Sequence, residues 1–169
     1  FVRSLGYSMM GSPREEVMFI PFGNGSNGKS TLLGTVREVL GDYARSAEAS
    51  SFIAGDAKTT NAGGPREDLV RLRGSRFVYV NEPDESGELR EGAVKSMTGG
   101  DAITARGLWA PDSIELLPTW VVFMPTNHKP IIKGSDNGIW RRMGLLPFER
   151  NFENDPSVIC SPSAPDRKS

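Results

Sequence analysis

The stretch GNGSNGKST, residues 23–31, places Gly-x4-Gly-Lys-Ser at Gly23, Gly28, Lys29 and Ser30. Each residue type in that spacing has a job in holding phosphate. Gly23, Gly25 and Gly28 open backbone conformations that a Cβ would close. The N–H groups of Gly23, Asn24, Gly25, Ser26, Asn27 and Gly28 can then line one concavity for oxyanions. A helix starting near Gly28 adds its positive end. Lys29 is placed for the β- and γ-phosphates, Ser30 for Mg2+, and Thr31 completes the cradle. The expected cofactors are ATP and Mg2+. The plainer alternative is a chance match in a glycine-rich turn.

Three further groups have types suited to the same chemistry. Glu82, with Asn81 before it and Asp84 and Glu85 after, could accept a proton from an attacking water and act in the Mg2+ site. A charged turn is the alternative. Asn127 offers an amide for the γ-phosphate or the water, although asparagine also commonly caps turns. Arg141 and Arg142 could stabilise transition-state charge, or simply form a surface ion pair. His128 is the only histidine and lacks partners at metal-ligand spacing.

These residues need elements to position them. Val17–Phe22 is a short apolar run suited to a buried strand, and Ser30–Leu40 repeats apolar residues at helical spacing. Strand, loop and helix follow in the order the cradle requires. Residues 1–11 read as a helix with Val2, Leu5, Met9 and Met10 on one side, and residues 41–53 as short irregular segments. Gly55–Pro65 reads as a mobile polar loop, Arg66–Gly74 as a helix closed by glycine, and Arg76–Val80 as a strand. Glu88–Gly100 reads as a helix, Ala102–Leu117 as a β-hairpin with the tip GLWAPD, and Trp120–Pro125 as a buried strand. A short helix over Asp136–Met143 and a last strand, GLLPF, complete the pattern. From Glu149 the chain is polar and proline-rich and reads as disordered. Strands alternating with helices predict an α/β fold with a mainly parallel sheet and its ligand at the strands' carboxyl ends. Glu82 and Asn127 both follow strands.

The 169 residues suffice for one domain with a core. Residues 1–12 read as the tail of a preceding helical region, 13–150 as the domain and 151–169 as a tail, so the chain reads as part of something longer. No apolar run is long enough to cross a membrane. The single cysteine, Cys160, excludes an internal disulfide and fits a reducing, cytoplasmic setting. A net charge of −1 supplies no bulk field for nucleic acid, so any contact with it must be local.

With GNGSNGKST, RLRGSRFVYVNE, VKSMTGGDAITAR, TNHKP and IWRRMGLLPF in this order, the chain resembles the superfamily 3 helicase domain of phage and plasmid primase–helicases. The resemblance covers residues 1–152. It implies an AAA+-like P-loop NTPase fold and a homo-oligomeric ring, a hexamer, that hydrolyses ATP at subunit interfaces around single-stranded or forked DNA. A primase domain or protein is the implied partner. Lys29 and Ser30 would be the Walker A residues, Glu82 the Walker B acid and Asn127 the sensor. Arg141 or Arg142 would be the finger acting on a neighbour, with Arg141 preferred. The hairpin would enter the ring's channel, with Arg106 and Trp109 as DNA contacts. Its tip carries no lysine or histidine, and Trp109 could equally be a core or interface aromatic. Lys95 could face the nucleotide or a neighbour. The competing readings are a nucleotide-binding remnant that no longer assembles and a small-molecule kinase.

Overall fold

The computed structural model describes residues 1–54, 66–81, 87–134 and 136–153. The expected loop over Gly55–Pro65 therefore lies outside the described residues, as do Glu82 and the tail from residue 154.

A five-stranded parallel sheet forms the centre. Its strands are β1 (Met18–Phe22), β2 (Ala44–Ala47), β4 (Phe77–Val80), β8 (Val121–Phe123) and β9 (Met143–Pro147), in the spatial order β2-β4-β8-β1-β9. Alternating side chains build two cores, as the period of a strand requires. Met18, Ile20, Val78, Val80, Val122 and Met124 face one way, with Leu69, Leu72, Val94, Met97, Trp120 and Ile139 packed among them. Phe77, Val121 and Phe123 face the other way with Leu33, and Phe1, Leu5, Phe19 and Val36 close that layer. Both faces are thus covered, as a parallel sheet demands.

The second layer comes from α2 (Lys29–Leu40) and α1 (Val2–Met9). Helix α1 does not bury the face its apolar residues suggest. Val2, Met9 and Met10 are exposed, whereas Ser4 and Ser8 are buried and donate to the carbonyls of Phe1 and Leu5. Those local bonds satisfy the two hydroxyls, so serine can face the core while Phe1 and Leu5 pack beside it.

Two strands depart from the sequence reading. The expected irregular segment after α2 contains β2, whose residues Ala-Arg-Ser-Ala carry little intrinsic strand preference. Its register comes from β4, with Ala44 opposite Phe77 and Ala47 opposite Val80. The expected helix from Glu88 begins at Glu91 instead, as α4 (Glu91–Thr98). Glu88 and Leu89 form β5, antiparallel to β3 (Ile53–Ala54). Burial of Leu89 and its N–H bond to the Ile131 carbonyl (2.8 Å) outweigh helix propensity there. The remaining helices are short: α3 (Glu67–Val70), with Gly74 just beyond at φ 77°, and α5 (Asn137–Trp140). The expected hairpin is present as β6 (Ile103–Ala105) and β7 (Ile114–Leu116), paired Ile103 to Leu116 and Ala105 to Ile114. No described helix is long and apolar enough to cross a membrane.

Candidate nucleotide site

The P-loop is placed by strand pairing that continues past the strands themselves. Met124 N–H donates to the Phe19 carbonyl, Thr126 N–H to Pro21 and Gly23 N–H to Thr126. This zipper carries the chain after β8 alongside the chain leaving β1. Asn127 is thereby delivered to the P-loop. Its Oδ1 accepts from Lys29 Nζ at 3.2 Å. Two residues 98 positions apart, singled out separately in the sequence, meet at one hydrogen bond.

Lys29 is 3% exposed. Its ammonium also donates to Asn27 Oδ1 at 3.1 Å and to the Gly23 carbonyl. Oxygens thus hold the cation at the mouth of the loop. A buried charge needs such partners, and a phosphate oxygen meets the same need more strongly. Ser30 and Thr31 are exposed on the first turn of α2.

Asn27 does more than the P-loop pattern implies. It is 6% exposed, and its Nδ2 donates to the Asn24 carbonyl and to the Phe148 carbonyl at 3.1 Å. It ties the P-loop to the end of β9. Gly23 makes that approach possible: a Cβ there would stand 2.2 Å from the Phe148 carbonyl oxygen, and its φ is 152°. Gly28 takes φ 78° at the entry to α2, as expected. Gly25 has no positive φ and no atom near the place of a Cβ. The left-handed residue in mid-loop is Ser26, at φ 58°. A cavity of about 460 Å³ opens beside this loop, lined by residues 22–25, 127–129 and 148–151.

Residues 149–153 were expected to begin a disordered tail. They lie against the P-loop instead. Phe152 N–H donates to the Ser26 carbonyl at 2.8 Å, and Ser26 Oγ donates to Glu153 at 2.8 Å. Nothing in a polar, proline-bearing stretch signals such long-range bonds.

The acid at position 82 lies outside the described residues. Its neighbour Asn81 follows β4 and donates to Glu48 Oε1 at 3.4 Å. Glu48 follows β2 and brings a carboxylate that the sequence reading did not single out. Among the described residues, no three His, Cys, Asp or Glu side chains cluster to hold a metal ion. Mg2+ shared between one hydroxyl and phosphate oxygens needs no such cluster.

The two arginines separate. Arg142 is 9% exposed, donating to Thr98 Oγ1 at 3.2 Å and pairing with Glu16 at 2.8 Å. Its Nε is buried without a partner. Such a side chain is an internal anchor, buried and bonded within its own chain. Arg141 has a 66% exposed side chain and meets the same Glu16 oxygen at 2.9 Å. Glu16, at φ 54°, is a second residue the sequence reading passed over. Both arginines follow α5, which Asp136 caps by accepting from Gly138 N–H at 2.8 Å. Lys95 sits on Asp136 at 2.6 Å, so it faces this cap. That bond holds the Asp136 carboxyl below its usual pKa, with the Gly138 N–H adding to the effect.

Trp109 stands 93% exposed at the hairpin tip with φ 63°, which rules out the core reading. The tip is braced by Leu108 N–H donating to Glu67 at 3.0 Å. The Arg106 carbonyl accepts from Arg66 N–H at 2.8 Å, fixing the base of the tip.

No family model matches the chain. It is 32% identical over 148 residues, 88% of its length, to a "Putative helicase" of Acanthamoeba polyphaga mimivirus. It is 32% identical over 144 residues, 85% of its length, to a "Putative primase" of African swine fever virus. By sequence it is thus similar to a stretch of viral proteins named as putative helicases and primases. It spans about 15% of the length of those relatives. Its fold matches that of the C-terminal region of NrS-1 in an apo form, with a TM-score of 0.64 at 12% identity, over 93% of this chain and 36% of that one. The sequence resemblance pointed to phages and plasmids; the two named relatives come from mimivirus and African swine fever virus.

Proposed function

We propose that this domain binds ATP with Mg2+ on the P-loop and hydrolyses it between copies of itself, as the motor of a replication helicase. The observation that carries the reading is the Lys29–Asn127 bond, 3.2 Å long, between the P-loop lysine and an amide beyond a core strand. In that role Lys29 exchanges its present oxygens for the β- and γ-phosphates. Ser30 would supply a hydroxyl to Mg2+, and that ion would neutralise phosphate charge. Asn127, freed from Lys29, orients a water toward the γ-phosphorus. Glu82 takes the water's proton as the new P–O bond forms and ADP departs.

The charge-stabilising arginine comes from a second copy. Strands β1 and β9 run parallel in register, Met18 beside Met143 and Phe22 beside Pro147. The P-loop follows β1, whereas Arg141 precedes β9. Five residues at about 3.3 Å each separate them by about 16 Å along the sheet. Arg141 therefore lies at the opposite end of the strands from its own P-loop, and as a finger it would serve a neighbour's. In a closed ring of six, each interface would pair one copy's P-loop with the next copy's Arg141. Trp109, displayed on a braced tip, would stack on bases of single-stranded DNA in the channel, which requires no sequence preference.

The experiment is ATPase rate against protein concentration, with and without single-stranded DNA. The expected result is a rate per chain that climbs steeply with concentration and rises further with DNA. A rate per chain independent of both would overturn the ring.

A further inference from the structure

The segment after β9 carries features that phosphate binding does not use. Residue 152 donates its N–H to the Ser26 carbonyl, and Glu153 accepts from Ser26 Oγ. Both bonds engage the outward groups of Ser26. No backbone N–H of residues 24–28 is among the bonds that seat this segment, which leaves those groups for phosphate. The segment is thus fastened to the P-loop without filling it. The Phe152 ring rests against Gly28, with Cε2 3.1 Å from where a Cβ would stand. The residue is nevertheless 41% exposed. The Arg150 guanidinium lies 5.5 Å from its centroid. Directly before Phe152, residues 148–151 wall the cavity beside the loop.

We propose that Phe152 is the wall against which the nucleobase packs, with Ser26 and Glu153 as the fastening that holds it there. This rests on the nucleotide reading above and adds the part of the ligand that reading leaves unplaced. A triphosphate seated on the P-loop places its nucleoside at the loop's rim; Phe22 and Phe148 line the cavity beside it, and Phe152 is the aromatic residue fastened to the loop itself through Ser26. A planar ring with exposed surface and a nearby guanidinium suits stacking on a base. Ser26 explains its own backbone here. Its left-handed φ of 58° is an unfavourable choice for serine, and it turns the carbonyl to Phe152 and the hydroxyl to Glu153. Glycine would relieve the backbone and lose the hydroxyl.

The test titrates the full chain with a non-hydrolysable ATP analogue and, separately, with tripolyphosphate, which has the phosphates and no base. Phe152→Ala should weaken the analogue about tenfold, the loss of one base–aromatic stack, and leave tripolyphosphate unchanged. Phe152→Trp should keep the analogue near the parent affinity. Glu153→Gln, which leaves the ring but loosens its fastening, should show a smaller loss on the analogue alone. Equal weakening of both ligands by Phe152→Ala would reduce the residue to a prop for the loop. Unchanged or tighter analogue binding would also overturn the proposal. Tighter binding would mean that the segment obstructs the site. If the parent chain binds tripolyphosphate as tightly as the analogue, the base wall fails while the P-loop reading stands. If the parent binds neither, the P-loop reading fails and the wall with it.

Discussion

Gly23→Ala probes how tightly the P-loop is built onto the sheet. The substituted Cβ would stand 2.2 Å from the Phe148 carbonyl oxygen and 2.7 Å from Asn27 Nδ2. Neither is the loose end of a flexible side chain. The carbonyl belongs to a residue whose own N–H is bonded to Phe22 at 2.8 Å, and Nδ2 is the hand of the buried latch. Relief therefore requires the end of β9 and the P-loop to part. Forcing a φ of 152° on alanine costs about 1–3 kcal/mol, and overpacking costs about 1–3 kcal/mol more. Taking about 4 kcal/mol in all, Tm should fall by about 10 °C for a chain of this size. Gly25→Ala is the internal control, because Gly25 has open space around it and no positive φ. Differential scanning calorimetry of both variants reads the result. Equal Tm values for Gly23→Ala and the parent, or equal losses for the two variants, would refute the reasoning.

Lys29→Ala should abolish binding of both the ATP analogue and tripolyphosphate in calorimetric titration, because it removes the buried cation that the P-loop and Asn127 hold in place. Arg142→Ala should cost about 3 kcal/mol in urea unfolding, the usual loss on breaking a buried charged network, whereas exposed Arg141→Ala should stay within about 0.5 kcal/mol. Trp109→Ala should leave unfolding unchanged and weaken single-stranded DNA binding about tenfold in fluorescence anisotropy. Asp136 has a folded pKa below its unfolded value of 3.8, through Lys95 first. Its contribution to stability is thus complete above that value and lost as pH falls through the folded pKa. Unfolding of Asp136→Asn should differ from the parent at neutral pH and converge on it in acid. Asp68 shares this sign: burial would raise its pKa, but bonds from Arg66 hold it down.

The candidate residues were more legible in the sequence than the structure that supports them. Lys29 and Asn127 each follow a recognisable apolar strand, and residue type with strand end was enough to single out two side chains that meet. Strand β2 was hidden because Ala44–Ala47 has no apolar pattern of its own, and its pairing depends on Phe77–Val80. The division between Arg141 and Arg142 was equally invisible. Adjacent arginines look alike until Thr98 and Glu16, distant in sequence, are brought up to one of them. The segment after β9 misled for the opposite reason. Its composition favours disorder, yet two bonds to Ser26 fasten it. Long-range hydrogen bonds leave no periodicity to read.

The central claim is that one copy's P-loop works with another copy's arginine. Mixing Lys29→Ala chains with Arg141→Ala chains tests it most directly, with ATP hydrolysis as the readout. Each variant alone should be inactive, since every interface lacks a group. In the mixture some interfaces pair an intact P-loop with an intact Arg141, and hydrolysis should return. A mixture as inactive as its components, in chains shown to assemble together, would contradict the account.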